Sequence, residues 1–424
     1  MKKANGRRVF IWACLAAGSA LVGVLARGWS NQRVSRAQLF KNANQDLTVR
    51  DIPIAIPSDG QLSRDVSVQD VREFLLTLGP HWMQQSKVDT IIHAFRLWGP
   101  NAVFPDQLFR RAFPDRHFWS GSEMDGLFRS TEEYLRVFER ESPLLFTLSD
   151  GIVCRTAPSS VPGSSNGALV HDDKLLRTFA SLGYSSTTPL VAMRAVTRDP
   201  ESGVFEHHAD LVQGTIRDLI RGSVNYFVVE QELEWTVESL CRYLAPCRSW
   251  TNRFGDRFTF DGVAEKLLSR PYGVGSCQGL HVLYAMTVLL RVDDVCEILS
   301  VEIRRRIESH LKWCSRDLER RQVQDGTFTE VQGSKSVPDL FEDRSDWISR
   351  SQIVFISHNL EWISLAPEEL RPRHEVVVNA ARALMEGLRP WSMYSRSGEY
   401  APLSHAGSAL CSLIGKTPTE ICQE

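Results

Sequence analysis

Apolar residues recur every three or four positions along most of this chain, a spacing that predicts amphipathic helices. After His171 it predicts helices over residues 171–182, 206–222, 230–245, 260–269, 276–291, 301–322, 353–365, 368–388 and 402–413. Nearer the amino end, it predicts helices from Ser67 to Leu78 and from Val88 onward, and two short ones within 121–139. The pattern therefore predicts a mainly helical protein.

Two predicted helices differ in how much of their surface is apolar. Residues 279–290 (GLHVLYAMTVLL) are apolar almost all round, which is typical of a helix buried on every side. Residues 301–322 carry charge on most positions and one narrow apolar stripe, which is typical of a helix buried on one side only. Alternation of these two kinds is what an inner and an outer ring of helices would produce.

The chain divides into regions of different composition. Residues 144–156 predict a strand hairpin that turns at Asp150-Gly151. Residues 157–168 are rich in serine, proline and glycine, and we interpret them as a flexible boundary. We therefore expect an amino-terminal helical region with short strands over 66–160 and a helical domain over 168–415. The polar stretch 330–350 is interpreted as an insertion or a lid loop.

A short motif recurs before several of the helices. Residues 322–328 read Q-x3-G-x-F, with Gln322, Gly326 and Phe328 at the fixed positions. Partial copies are Gly203 with Phe205, Gly398 with Tyr400 and, with one extra residue, Gly255 with Phe258. The glycines at 255, 326 and 398 are 71 and 72 residues apart, a period typical of stacked or closed helical hairpins.

This motif, placed between the two kinds of helix, resembles the repeat of terpenoid cyclases and of protein prenyltransferase β-subunits. The resemblance covers about residues 171–415 and implies an α/α toroid, closed or incomplete, in which concentric rings of helices surround a funnel. It also implies that Gln322 and Phe328 brace neighbouring helix ends. The catalytic motifs of those families are not matched. The nearest string to the D-x-D-D of squalene-type cyclases is Arg291-Val-Asp293-Asp294, which lacks the first aspartate.

A histidine follows each copy of the motif and opens an apolar run: His208, His281, His358 and His405. In a toroid these helix starts would share one rim, so the four imidazoles could meet at one mouth. Such a set suits general acid–base work or a divalent metal. Nearby candidates are Cys277, four positions before His281, and Tyr284 and Glu361, each three positions after a histidine. The competing interpretation, which we favour from sequence, is that these histidines cap helices and pack in the core. The sequence assigns no cofactor.

Composition narrows the function classes. The chain has 424 residues, 43% hydrophobic and 24% charged, with a formal net charge of −2. This balance provides no electrostatic attraction to nucleic acid, and no basic stripe with interleaved aromatics is present. Nine cysteines are scattered without a C-x2-C pair, which argues against zinc-finger and thioredoxin-like sites.

The amino terminus has the features of an export signal. Lys2, Lys3 and two arginines precede the uncharged run from Val9 to Ala26, near the length that spans a bilayer. We expect residues 1–29 to be a membrane anchor or a cleaved signal peptide, residues 30–65 a linker, and the body to lie outside the cytoplasm. The function favoured from sequence is a binding or scaffold protein of the cell envelope. The alternative is an enzyme acting on a lipid, isoprenoid or glycan in the funnel.

Overall fold

The computed structural model shows a mainly helical protein with a small sheet. It describes residues 47–58, 60, 65–80, 88–104, 118–137, 144–148, 150–154, 173–198, 205–271, 276–329, 349–389 and 400–424. The predicted amino-terminal helix, Gly203, Gly398 and most of the predicted 330–350 loop lie outside these residues. Within them, no helix is both long and apolar enough to span a membrane.

The helices follow the predicted spacing closely. In the first half of the chain they are α1 (Val68–Thr77), α2 (Val88–Trp98), α3 (Gly121–Arg129), α4 (Thr131–Val137), α5 (Lys174–Ser181), α6 (Ile216–Tyr226) and α7 (Leu233–Leu244). In the second half they are α8 (Phe260–Leu268), α9 (Leu280–Cys296), α10 (Val301–Arg321), α11 (Arg350–Leu365), α12 (His374–Leu388), α13 (Tyr400–Ile414) and α14 (Pro418–Gln423). The predicted helix 368–388 is divided, because a short 3-10 turn over Glu368–Leu370 precedes α12.

Six of these helices contact one another in a closed cycle. Each of α2, α5, α7, α9, α11 and α13 contacts the next in this order, and α13 contacts α2 again. Helices α8, α10 and α12 pack outside this cycle, each against a neighbouring member. We refer to the six helices as the ring.

The predicted contrast between the two kinds of helix is present. Helix α9 belongs to the ring and buries residues on all of its faces, from Leu280 to Val292. Helix α10 lies outside it and buries one stripe through Ile303, Ile307, Leu311 and Leu318, while its arginines and glutamates face solvent. Burial of apolar surface stabilises both arrangements. The helix that is apolar all round therefore occupies the position that other elements cover on every side.

The sheet has four strands in the order β2-β1-β3-β4, namely β1 (Leu145–Leu148), β2 (Gly151–Cys154), β3 (Pro189–Arg198) and β4 (Phe205–Thr215). Strands β1 and β2 form the predicted antiparallel hairpin, with Leu148 opposite Gly151. Strand β1 pairs in parallel with β3, and β3 pairs in antiparallel with β4. The sheet therefore joins the region before residue 160 to the region after 168. A second hairpin joins β5 (Ser249–Thr251) and β6 (Arg257–Thr259).

The predicted helix over 206–222 is wrong in its first half. Residues 205–215 form β4, and the helix begins only at Ile216, after Thr215 and Asp218 close a capping box. Strand β3 presents a buried apolar run, Leu190–Met193, whose backbone groups pair with Val212 and its neighbours in β4. That pairing is non-local, so helical periodicity in 206–215 alone could not show it. His208 is therefore a strand residue and opens no helix.

The Q-x3-G-x-F motif forms a tight turn that ties α10 to two other helices. The Gln322 side-chain amide donates to the carbonyl of Val376 at 2.8 Å and to that of Gly326 at 3.3 Å. Gly326 has φ +86°, and a Cβ there would lie 2.3 Å from the carbonyl oxygen of Asn379. Phe328 is buried, and its backbone N–H and C=O are both bonded by the Gln352 side chain of α11. The turn therefore links the end of α10 to α11 and α12.

Candidate functional site

Three of the four predicted histidines meet inside the ring. The imidazole centroids of His281 (α9) and His358 (α11) are 4.7 Å apart. The imidazoles of His358 and His405 (α13) are stacked, with centroids 4.0 Å apart. The centroids of His281 and His405 are 5.5 Å apart. All three side chains are at most 3% exposed, so they form a buried site.

Their placement along the helices differs from the prediction. His281 is the second residue of α9, but His358 is the ninth of α11 and His405 the sixth of α13. The histidines converge because the helices form a ring, and the expectation that all four open a helix is wrong. His208 lies in β4, and its side chain lies outside the described residues.

A fourth histidine, His93 of α2, takes the place expected for His208. Its ring centroid is 4.9 Å from that of His405. Lys174, the first residue of α5, places Nζ 2.7 Å from His93 Nε2 and also pairs with Asp89. Because the ammonium can only donate, His93 Nε2 accepts, and its Nδ1–H donates to Ser404 Oγ at 3.1 Å. His93 is thus held as a neutral imidazole.

His405 is held by a carboxylate. Its Nδ1 lies 2.7 Å from Glu361 Oε2, and the other Glu361 oxygen accepts from Arg96 at 2.8 Å. Arg96 Nη1 lies 3.3 Å from the same Nδ1, but the Glu361 carboxylate is nearer, so Nδ1 carries the proton and donates it to Glu361. His405 Nε2 then keeps a lone pair. Such a carboxylate–imidazole pair is the usual arrangement behind a histidine that binds a metal or accepts a proton.

His358 is oriented in a different way. Its Nδ1 lies 2.8 Å from the carbonyl oxygen of Val354, one turn earlier in the same helix. Since a carbonyl only accepts, Nδ1 carries the proton and Nε2 is a base without one. In the part of the chain that the structure describes, Nε2 is buried and has no hydrogen-bond partner. A buried lone pair of this kind calls for a ligand or an ordered water.

Arg177 of α5 lies between two aromatic rings and pairs with Glu238 of α7 through Nε. Its guanidinium carbon is 4.6 Å from the Trp235 ring centroid and 4.7 Å from that of Tyr284. Both terminal nitrogens of Arg177, and Glu238 Oε1, are buried without a hydrogen-bond partner among the described residues. We refer to these three atoms and His358 Nε2 as the open atoms.

Burial sets the charge state of the site. It lowers the pKa of His358 from 6.5 to about 4, and it lowers the pKa values of His281 and His405 well below 6.5, helped by neighbouring histidines and arginines. The imidazoles are therefore neutral at pH 7, the form that binds metals. The site also contains three ion pairs, and within each pair the two charges cancel: Arg96–Glu361, Lys174–Asp89 and Arg177–Glu238. Desolvation also lowers the pKa of Lys174 and raises that of Glu238.

Two overlapping sets of side chains could hold a metal ion. In one, ligand atoms of Cys277, His281 and His358 all lie within 4.8 Å of one another; in the other, those of His358, Glu361 and His405 do. Glu361 is already engaged by Arg96 and by His405 Nδ1, so it is better suited to orienting His405 than to binding metal. Both sets use His358, but the first adds a cysteine and a second histidine, and thiolate with imidazole favours zinc.

Cys277 reaches the site from a short 3-10 turn before α9. This turn spans Ser276–Gly279, and Cys277 has φ +48°, in the left-handed region that non-glycine residues seldom adopt. Such conformations are frequent at functional sites, where the surrounding structure maintains them. Cys277 is half-buried, whereas the cysteines at 241, 314 and 411 are buried in the core.

The structure also places the other residues that the sequence analysis named. Tyr284 is part of the site, because it packs against Arg177. Tyr400 opens α13 and donates its hydroxyl to the Leu78 carbonyl at 3.1 Å. Phe205 opens β4, with its side chain outside the described residues. Asp293 and Asp294, the partial cyclase motif, form ion pairs with Arg304 away from the site.

Sequence reasoning missed His93, Arg96, Lys174, Arg177 and Glu238. A signal was present: charged residues three positions apart in short, mostly apolar helices, as in Lys174-Leu-Leu-Arg177. Charged side chains are usually exposed, so this spacing alone indicates a solvated face. The ring buries that face, and all six of its helices contribute a polar side chain to the site.

The chain was compared with models of known protein families, with curated proteins and with solved structures, and none of the three comparisons found a match. The interpretation of the site therefore depends on its own geometry. That geometry is a ring of six helices enclosing neutral histidines, balanced ion pairs and the open atoms.

Proposed function

We propose that this protein is a metal-dependent enzyme whose divalent ion, zinc by ligand type, is bound by Cys277, His281 and His358 inside the ring. The observation that carries the proposal is the buried Nε2 of His358, which has no hydrogen-bond partner within the described residues although its Nδ1 is fixed by a carbonyl. A structural histidine would be expected to use both nitrogens, whereas a metal ligand leaves one for the ion.

The fold that supports this function is an α/α toroid. In this proposal the cycle of α2, α5, α7, α9, α11 and α13 is its inner ring, and α8, α10 and α12 belong to its outer ring. The closed sequence of helix contacts supports it, as does the alternation of α9, buried on all faces, with α10, buried on one. The terpenoid cyclase-like repeat is then the turn that connects the two rings.

Three protein ligands leave a fourth zinc position for water or substrate, as in catalytic zinc sites. The ion would lower the pKa of a bound water and so supply a nucleophile at neutral pH. His405 stacks on His358, and Glu361 holds its Nδ1 proton. Its Nε2 is therefore a base beside the metal position, so we assign His405 the role of proton acceptor. Hydrolysis is the reaction class that these parts serve.

Metal content of the purified full-length protein tests this proposal. Elemental mass spectrometry should find about one zinc or other divalent ion per chain, as a three-ligand site requires. Cys277→Ser and His358→Gln should each lose the ion while retaining the helical circular dichroism of the wild type. If His358→Gln does not fold, Cys277→Ser and metal titration of chelator-treated wild type decide the question.

The chain offers matched controls. Cys296 is a half-buried cysteine near the end of α9, and His374 is an exposed histidine at the start of α12. Cys296→Ser and His374→Gln should keep the ion. Wild-type protein without metal, or equal metal content in all four variants, would contradict the metal site. The histidines would then be structural, and the binding or scaffold role expected from sequence would become the better proposal.

A further inference from the structure

Arg177 is a deeply buried cation of the site that has donors without a partner among the described residues. The residue is 2% exposed, its Nε pairs with Glu238, and both terminal nitrogens are among the open atoms. Trp235 and Tyr284 cover the guanidinium carbon from 4.6 and 4.7 Å. Stacking of this kind fixes the plane of the guanidinium. The N–H groups of its two terminal nitrogens therefore point in a fixed direction.

The charges around those donors do not oppose an anion. The three ion pairs of the site balance one another, and the histidines are neutral, so the site has no excess negative charge of its own. A bound divalent ion with one thiolate ligand would add net positive charge. Trp235, which covers Arg177, also packs against His281 with ring centroids 4.1 Å apart. Arg177 and His281, one of the proposed metal ligands, therefore pack against the same indole ring.

We propose that the two terminal nitrogens of Arg177 bind a two-oxygen anion, a carboxylate or a phosphate monoester, and that this anion is the anchoring group of the substrate. The guanidinium fork matches two oxygens of such a group with two parallel hydrogen bonds, a geometry that an ammonium cannot reproduce. The role of the anion as the anchoring group of a substrate rests on the proposed function. The anion site itself requires no metal.

Thermal unfolding of the full-length protein, with and without prior chelator treatment, tests the inference. The probes are sodium acetate and inorganic phosphate, and sodium chloride at matched ionic strength is the reference. We expect a saturable rise in Tm with acetate, phosphate or both, in metal-loaded and chelator-treated protein. A rise with acetate alone assigns a carboxylate, and a rise with phosphate alone assigns a phosphate group.

Two variants with opposite expected effects separate binding from a structural role. Arg177→Lys keeps the charge but loses the fork, and should weaken anion affinity at least about tenfold. Glu238→Gln removes the carboxylate that competes for the same guanidinium, and should raise the anion affinity. The control is Arg242→Lys, since Arg242 is also buried but donates to the Ala180 carbonyl; it should bind like wild type.

Several outcomes would overturn the inference. One is no anion-dependent rise in Tm in the wild type. Another is an equal rise in wild type and Arg177→Lys, which would place the anion on the metal or elsewhere. If Arg177→Lys does not fold, an increased affinity in Glu238→Gln supports the inference, and an unchanged or lost affinity there contradicts it. If the protein as purified holds no metal and takes none up on titration but still binds the anion, the proposed function is contradicted and the anion site stands.

Discussion

The Gln322–Phe328 turn and the histidine site both hold polar groups partly or fully out of solvent, but they differ in whether those groups are bonded. In the turn, the Gln322 amide reaches two carbonyls, and the Gln352 side chain bonds both backbone groups of Phe328. In the site, the open atoms remain. Leaving buried polar groups unbonded is costly. The polar groups of the turn are bonded within the described residues, whereas under the proposed function a ligand completes the site.

The largest effect on stability should come from the turn. Gly326→Ala forces a side chain into a left-handed conformation and against the Asn379 carbonyl, which should cost about 4 kcal/mol of unfolding free energy. Gly183→Ala is the control, because Gly183 has φ +76° and nothing within 4 Å of the added Cβ; it should cost only about 1 kcal/mol. Denaturant unfolding measures both, and metal content of folded Gly326→Ala should match the wild type. Equal costs for the two glycines would contradict the steric account.

A smaller effect, from the site, depends on pH. Burial depresses the pKa of His358 in the folded chain from 6.5 to about 4. A depressed folded pKa gives stability that is present above 6.5 and lost as pH falls through 4. In chelator-treated protein this group should contribute about 3 kcal/mol, lost across that window.

The contribution of His358 is measured by comparing how the unfolding free energy depends on pH in wild type and in His358→Gln. Glutamine does not titrate in this pH range. Denaturant unfolding at pH 7, 5.5 and 4 is sufficient. The wild type should lose more stability than the variant on acidification, and parallel profiles would show that His358 is accessible to protons and not buried as described.

The sequence predicted the helices well and the sheet poorly, for physical reasons. Helical periodicity is local, so α7 to α10 lie close to their predicted bounds, whereas β3 and β4 depend on pairing with each other and with β1. His281, His358 and His405 were found because a recurring sequence motif precedes them. His93 and the Lys174–Arg177 pair have no such marker. Their burial follows from closure of the ring, which no local pattern contains.

The most direct test of the central claim is the absorption spectrum of chelator-treated protein reconstituted with Co²⁺. A thiolate and imidazoles around the ion predict a spectrum of tetrahedral cobalt with a sulfur-to-metal charge-transfer band. That band should disappear in Cys277→Ser and persist in Cys296→Ser. A cobalt spectrum without the thiolate band in the wild type, or one that Cys277→Ser leaves unchanged, would contradict the assignment of Cys277, His281 and His358 as the metal site.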